Sequence, residues 1–129
     1  MHADRLLDKI TILRIKSQRM TDPAKLRNVR VELEQLEKTW RDSGSAIAAV
    51  APEEAALQRV NEQLWVIEDD IRDKELAQSF DAKFIELARA VYVTNDERAA
   101  IKKRINTLLG SRIVEEKSYK PYLPGTSGG

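Results

Sequence analysis

Residues 80–110 read FDAKFIELARAVYVTNDERAAIKKRINTLLG and keep one hydrophobic register. Eight positions spaced three or four residues apart form that register: Phe84, Leu87, Val91, Thr94, Arg98, Ile101, Ile105 and Leu108. Side chains at this spacing lie on one face of an α-helix, so the segment predicts a long amphipathic helix. Asp81 is a capping residue type at its start, and Gly110 is a residue type that often terminates a helix.

The same segment contains an alternative helix start. The string Thr94-Asn95-Asp96-Glu97 has the spacing of a capping box, in which Thr and Glu side chains satisfy the first free backbone N–H groups of a helix. Such a start would divide the segment at Thr94. We favour one continuous helix, because the hydrophobic register keeps its phase across Thr94.

Two helices are predicted before the first glycine. The first starts near the N-terminus and ends at Thr21, where Asp22 and Pro23 have the residue types of a helix cap and a first helical position. The second helix then runs to about Trp40, with apolar side chains again three and four residues apart. A break follows at Gly44, which is typical of a left-handed helix terminus.

A third helix is predicted to open at Pro52 and to end near residues 76–79. Proline suits the first turn of a helix, because its missing N–H would have no partner there. Residues 46–51, which precede it, are apolar and short. They predict either a packed connector or an extra helical turn.

These elements predict an all-α protein. Three to four long helices with short connections favour an elongated antiparallel bundle, and the regular spacing favours coiled-coil-like seams between helices. We expect one helical-bundle domain over residues 1–110 and a partly mobile C-terminal tail over residues 111–129.

Composition limits the classes of partner. The chain has 129 residues, with 22 Lys and Arg against 21 Asp and Glu, and the resulting net charge of +1 argues against a dedicated nucleic-acid binder. Its longest apolar run is too short to cross a bilayer, and its first 20 residues are too charged for a signal peptide. We therefore expect a cytoplasmic protein without a membrane partner.

Charge is distributed unevenly along the chain. Residues 62–75 are mainly acidic, whereas residues 1–20 and 83–105 are mainly basic. Opposite charges on neighbouring helices favour their pairing, so this pattern predicts ion pairs between the acidic third helix and the two basic ones.

Several polar residues lie at positions that could line a pocket between helices. Cations recur on one face of the first helix, and Arg98 lies in the apolar register of the last one, where it needs a partner such as Glu68, Asp70 or Glu75. The candidate ligand-binding layer comprises Lys9, Lys16, Glu68, Arg72, Arg89, Asn95 and Arg98. The candidate interface anchors are Trp40 and Trp65, because large aromatic side chains often dominate interfaces.

Templates for catalysis are missing from the sequence. There is no cysteine, His2 is the one histidine, and no glycine-rich phosphate loop, HExxH or GxSxG string is present. We therefore assign no catalytic residue and expect no metal and no cofactor.

Four strings carry a resemblance to a known family. They are DKITIL at 8–13, LWVIEDDIR at 64–72, FIELARAVYVTNDER at 84–98 and EEKSY at 115–119. With them the chain resembles a bacterial family of small all-helical proteins catalogued as domain-of-unknown-function family 6165. The resemblance implies a helical domain and carries over no activity or site residue.

Two functions remain open from the sequence. The first is a non-enzymatic helical interaction or assembly module that pairs with a second copy or with a helical protein partner. The alternative is an all-helical enzyme or ligand-binding protein that grips an anionic small molecule in a basic pocket between helices.

Overall fold

The computed structural model describes the backbone of residues 3–44 and 47–119 and the side chains of these residues up to Gly110. It contains four helices: α1 (Ala3–Arg19), α2 (Pro23–Asp42), α3 (Ile47–Leu76) and α4 (Ala82–Tyr119). No strand occurs in the described ranges. The predicted all-α class is confirmed.

The start and end of α2 follow from local chemistry. Asp22 Oδ1 accepts a hydrogen bond from the Ala24 backbone N–H at 3.0 Å, and Pro23 occupies the first helical position. At the other end the Ser43 backbone N–H donates to the Trp40 carbonyl, and Gly44 adopts a left-handed φ of 102°. Both ends were predicted, because the residues that set them are adjacent in sequence.

Of the two alternatives for the residues before Pro52, the structure of α3 shows the extra helical turn. The helix starts at Ile47 rather than at Pro52, so residues 47–51 form additional helix and Pro52 lies inside it. Proline there costs a backbone hydrogen bond. Burial provides the compensating gain, because Val50 is fully buried in the core.

The turn between α3 and α4 is closed by hydrogen bonds at both ends. The Ser79 N–H donates to the Lys74 carbonyl and the Gln78 N–H to the Glu75 carbonyl, while Gln78 has the left-handed φ of 53° that this helix ending requires. Asp81 Oδ1 then accepts from the Phe84 N–H at 3.0 Å and caps α4, as predicted.

Helix α4 is continuous through Thr94, which confirms the single-helix prediction and rejects a break at the capping-box string. The predicted termination at Gly110 is wrong, because the helix runs on to Tyr119. Glycine ends a helix effectively when it turns left-handed, and Gly110 keeps helical geometry instead. Residues 120–129 of the predicted tail lie outside the described residues, and a domain boundary at residue 110 stays a prediction.

Helix α1 packs against all three other helices, while α3 and α4 pack against each other as an antiparallel hairpin. One core joins them and comprises Leu6, Leu7, Ile10, Trp40, Val50, Leu57, Val60, Leu64, Ile101 and Ile105. Arg14 links three helices, since its guanidinium contacts Glu54 of α3 at 2.9 Å and Glu37 of α2 at 3.4 Å.

The predicted ion pairs of the acidic segment 62–75 are wrong. Among the described residues, no carboxylate of this segment pairs with a cation of α1 or α4. The pairs that link α3 to its neighbours come from Glu53 and Glu54, near the start of the helix. Most carboxylates of residues 68–75 point to solvent instead.

Candidate functional site

A buried polar layer crosses the interface of α1, α3 and α4. At its centre is Asp8, which is 7% exposed although it carries a carboxylate. Its Oδ1 accepts hydrogen bonds from Asn61 Nδ2 and from Arg98 Nε, both at 3.0 Å, and its Oδ2 accepts from Arg98 Nη2. Lys102 Nζ lies 3.8 Å from the same Oδ2. Arg98 therefore binds Asp8 in the two-pronged geometry that suits a guanidinium.

Thr11 and Asn61 complete this layer. The Thr11 hydroxyl is fully buried, donates to the Asp8 carbonyl at 2.8 Å and accepts from Asn61 Nδ2 at 2.8 Å. Both hydrogens of the Asn61 amide are thus directed to α1, one to Asp8 and one to Thr11. The layer fixes the position of α1 on the α3–α4 hairpin, because each polar group has its partner on another helix or one turn away.

The layer changes the ionisation of its own members. Burial raises the pKa of Asp8, but the hydrogen bonds from Arg98 and Asn61 and the charges of Arg98 and Lys102 outweigh it, so the pKa lies below its usual value. The hydrogen bond to Asp8 raises the pKa of Arg98 in turn, and Glu68 adds to that effect through its charge. Both groups are therefore charged at neutral pH.

These shifts predict a loss of stability in acid. A carboxylate with a lowered pKa in the folded state stabilises the fold above its unfolded pKa of about 3.9, and this contribution is lost as the pH falls through the folded value. We expect the free energy of unfolding, measured by urea titration, to fall steeply below about pH 4.

Asp8→Asn serves as the test of that acid loss and Asp81→Asn as its control. The pKa of Asp81 is also lowered, mainly by Lys74, but this carboxylate lies on the surface. We expect the Asp8 variant to flatten the acid dependence more than the Asp81 variant. An Asp8 variant with the wild-type slope would contradict a charged, buried Asp8.

The predicted partners of Arg98 are wrong. Glu68, Asp70 and Glu75 form no ion pair with it, and its partner is Asp8, ninety positions earlier in the chain. The sequence does contain a signal for Asp8: together with Asp4 and Thr11 it follows the helical spacing of four and three residues on α1. All three side chains are buried, so this polar stripe faces the hairpin.

A cavity of about 250 Å³ opens beside this layer, between α1, α3 and α4. Its apolar wall is formed by Ile12, Ile15, Leu64 and Trp65. Its polar side chains are Lys16, Asn61, Glu68, Asn95 and Arg98. A second, wider groove of about 570 Å³ lies nearby and includes Arg19, Arg59 and Thr94.

The cavity brings together four of the residues that the sequence singled out, namely Lys16, Glu68, Asn95 and Arg98. The other three lie elsewhere. Lys9 Nζ pairs with Glu32 of α2 at 2.7 Å, Arg72 pairs with Asp69 one turn away, and Arg89 is exposed on α4.

The two tryptophans have different environments. Trp40 is 6% exposed and belongs to the core, so its ring packs within the chain. Trp65 is half-buried and contributes an aromatic surface to the cavity. Asn61, which is not part of the candidate layer, is the buried amide that joins the cavity to Asp8.

Within the described part of the chain, no group of three or more His, Asp or Glu side chains is placed to hold a metal ion. None of the helices described there combines the length and apolar character needed to cross a membrane. The cytoplasmic location stays a prediction.

Comparison with known proteins adds the family. A model described as a family of unknown function, DUF6165, matches residues 1–128. The chain belongs to this family. Neither a curated protein nor a solved structure matches it. The resemblance inferred from the four sequence strings is thereby confirmed for the family itself.

The site of this DUF6165 protein offers the chemistry of binding. Its cavity presents an ammonium group, a carboxylate, two amides and an indole ring, while the guanidinium of Arg98 is held by Asp8. Groups of these types are the ones that pockets use for hydrogen bonds, ion pairs and stacking contacts with small molecules. The pairing of Arg98 with Asp8 also neutralises much of the positive charge that the sequence had suggested for this pocket.

Proposed function

We propose that this DUF6165 protein is a helical assembly module that pairs with a second copy of itself. The contact uses the distal hairpin, defined as the end of α3 and the start of α4 with the turn between them (residues 69–94). The observation that carries the proposal is a concentration of exposed apolar side chains on this part of the hairpin.

The distal hairpin extends beyond the helices that pack on the rest of α3 and α4. The described hydrogen bonds and ion pairs from α1 to the hairpin involve Glu54, Gln58 and Asn61 of α3 and Arg98 and Lys102 of α4. The main core cluster likewise has no buried member between Leu64 and Ile101. Two helices alone bury little apolar surface. A further partner would therefore bury the most additional apolar surface at this end of the fold.

Large apolar side chains on the distal hairpin are exposed to solvent. They are Leu76 at 85%, Tyr92 at 75%, Val93 at 59%, Ile85 at 58% and Phe80 at 54%. Single exposed apolar residues are ordinary, but five of the eight exposed large apolar side chains of the described residues lie in this segment, and such a concentration is typical of an interaction surface.

The distribution of charge supports a second copy as the partner. On α3, Asp69, Asp73 and Leu76 follow the four-and-three spacing of one helix face, which is acidic and apolar. On α4, Ile85, Arg89 and Tyr92 follow the same spacing, and this face is basic and apolar. When two hairpins pair about a twofold axis, the acidic face of each meets the basic face of the other, so the surface is complementary to itself.

The test is the mass in solution as a function of protein concentration. A contact formed by two helical hairpins alone belongs at the small end of specific interfaces, so we expect a dissociation constant in the range of about 1–100 μM. Sedimentation velocity should show the 14.7 kDa monomer converting to a dimer over this range, and added salt should weaken the dimer.

Tyr92→Asp is the decisive variant, because it places a carboxylate opposite the acidic face of the partner hairpin. We expect it to remain monomeric at concentrations where the unmodified chain is dimeric. Val31→Asp is the matched control, since Val31 is an apolar side chain of α2 with 53% exposure and lies far along the chain from the hairpin. A chain that stays monomeric up to about 500 μM, or equal effects of the two variants, would overturn the proposal.

A further inference from the structure

We propose that the cavity between α1, α3 and α4 binds a small zwitterion with an apolar body, and that its ligand class is the α-amino acids with apolar side chains. The cavity is lined by residues outside the distal hairpin, although Glu68 and Asn95 border it. Binding in the cavity can therefore be tested independently of self-association.

Size sets the first limit on the ligand. The cavity of about 250 Å³ equals the share of about eight water molecules in the liquid, and drug-sized ligands occupy pockets of about 300–1,000 Å³. A free amino acid matches this space in size, whereas a nucleotide or a peptide would extend beyond it.

Charge sets the second limit. Lys16 and Glu68 both line the cavity, and neither forms an ion pair within the described part of the chain. The third charged lining group, Arg98, is already paired with Asp8. The cavity therefore offers one positive and one negative group that are outside any ion pair, and a ligand with one carboxylate and one ammonium satisfies both.

An accessible acceptor on α3 supports the ammonium end of the ligand. Asn61 is 5% exposed and lines the cavity, and both of its N–H groups are directed to Asp8 and Thr11. Its carbonyl oxygen, in contrast, accepts no hydrogen bond from the described residues. Because this oxygen is not among the buried atoms that lack a partner, a donor in the cavity can reach it, and the three N–H bonds of an ammonium group allow contacts with it and with Glu68.

The apolar wall accommodates the remainder of the ligand. Ile12, Ile15 and Leu64 present aliphatic surface, and Trp65 adds an aromatic ring. A polar or strongly charged ligand side chain would lose its hydration against this wall without recovering hydrogen bonds. A branched aliphatic or aromatic side chain gains from the same contact.

The probe is L-leucine, titrated into the full chain by calorimetry. We expect saturable binding with a dissociation constant of about 0.01–1 mM. Two analogues separate the roles of the ligand charges: 4-methylpentanoate keeps the carboxylate alone, and 3-methylbutylamine keeps the ammonium alone. Each should bind at least about tenfold more weakly, which corresponds to about 1.4 kcal/mol.

Two variants locate the site. Lys16→Met and Glu68→Gln should each weaken leucine binding by about tenfold or more, while Lys9→Met should bind as the unmodified chain does, because Lys9 pairs with Glu32 away from the cavity. The indole N–H signal of Trp65 in an NMR spectrum should shift on titration, and that of the core residue Trp40 should stay in place.

Three results of these experiments would contradict the proposed amino-acid site. No saturation by L-leucine or L-phenylalanine up to about 10 mM would overturn the proposal. Equal binding of 4-methylpentanoate and leucine would replace it with a simple anion site. Equal effects of the Lys9 and Lys16 variants would show that any binding measured is elsewhere.

Discussion

Asp8→Ala is expected to lower the free energy of unfolding by about 3 kcal/mol, because it removes one partner from a buried ion pair. The guanidinium of Arg98 and the amide of Asn61 both lose their acceptor, and each keeps only partial access to water. Without the carboxylate, α1 also loses its strongest polar contact with α4. Urea denaturation of the purified chain measures the change directly.

A milder substitution shows how much of this loss of stability comes from the charge of Asp8. Asp8→Asn keeps the shape of the side chain and one acceptor oxygen, so we expect a loss of about 1–2 kcal/mol. A loss for Asp8→Ala of less than about 0.5 kcal/mol would mean that the polar layer is not formed in solution.

A second substitution, at Arg98, separates two contributions to the free energy of unfolding: the cost of a buried charge without its partner, and the net stabilisation by the ion pair. Arg98→Met alone leaves the buried Asp8 carboxylate with only Asn61 and the more distant Lys102 as partners, and should be nearly as destabilising as Asp8→Ala. The double variant Asp8→Leu with Arg98→Met leaves neither charge, and we expect it to be more stable than Asp8→Leu alone or Arg98→Met alone. A strictly additive result would show that the two side chains do not interact.

The ends of α2 and the start of α4 could be predicted because the residues that set them are neighbours in sequence. Asp22 with Pro23, and Asp81 with Phe84, satisfy free backbone groups within one helical turn. The start of α3 could not be predicted in the same way. It depends on the burial of Val50 by other helices, and a local signal at Pro52 is overridden by that distant contact.

The candidate site shows the same division. The spacing of α4 indicated that Arg98 faces the inside of the bundle and needs a partner, which is correct. Its partner depends on how α1 is rotated about its own axis, since that rotation turns either the basic or the acidic face of α1 to the hairpin. Asp8 and Thr11 face inward, and Lys9 faces α2. The spacing in the sequence shows which residues share a face of a helix. It does not show which of these faces a neighbouring helix covers.

Continuity of α4 across Thr94 is the second feature with a large expected effect. In a continuous helix Asn95 is an interior residue, so Asn95→Pro removes a backbone hydrogen bond and places the proline ring against the preceding turn, at a cost of about 3 kcal/mol or more. If Thr94 capped a new helix, Asn95 would be its first residue, where proline is well tolerated. Ala82→Pro is the matched control, because Ala82 is the first residue of α4 after its Asp81 cap, and its expected cost is below about 0.5 kcal/mol.

The free energies of unfolding of the two variants, measured by thermal and urea denaturation, should therefore differ widely. A similar small effect for both variants would favour two helices joined at Thr94. The difference matters for both proposals, since an unbroken α4 connects the distal hairpin rigidly to the cavity side chains Asn95 and Arg98.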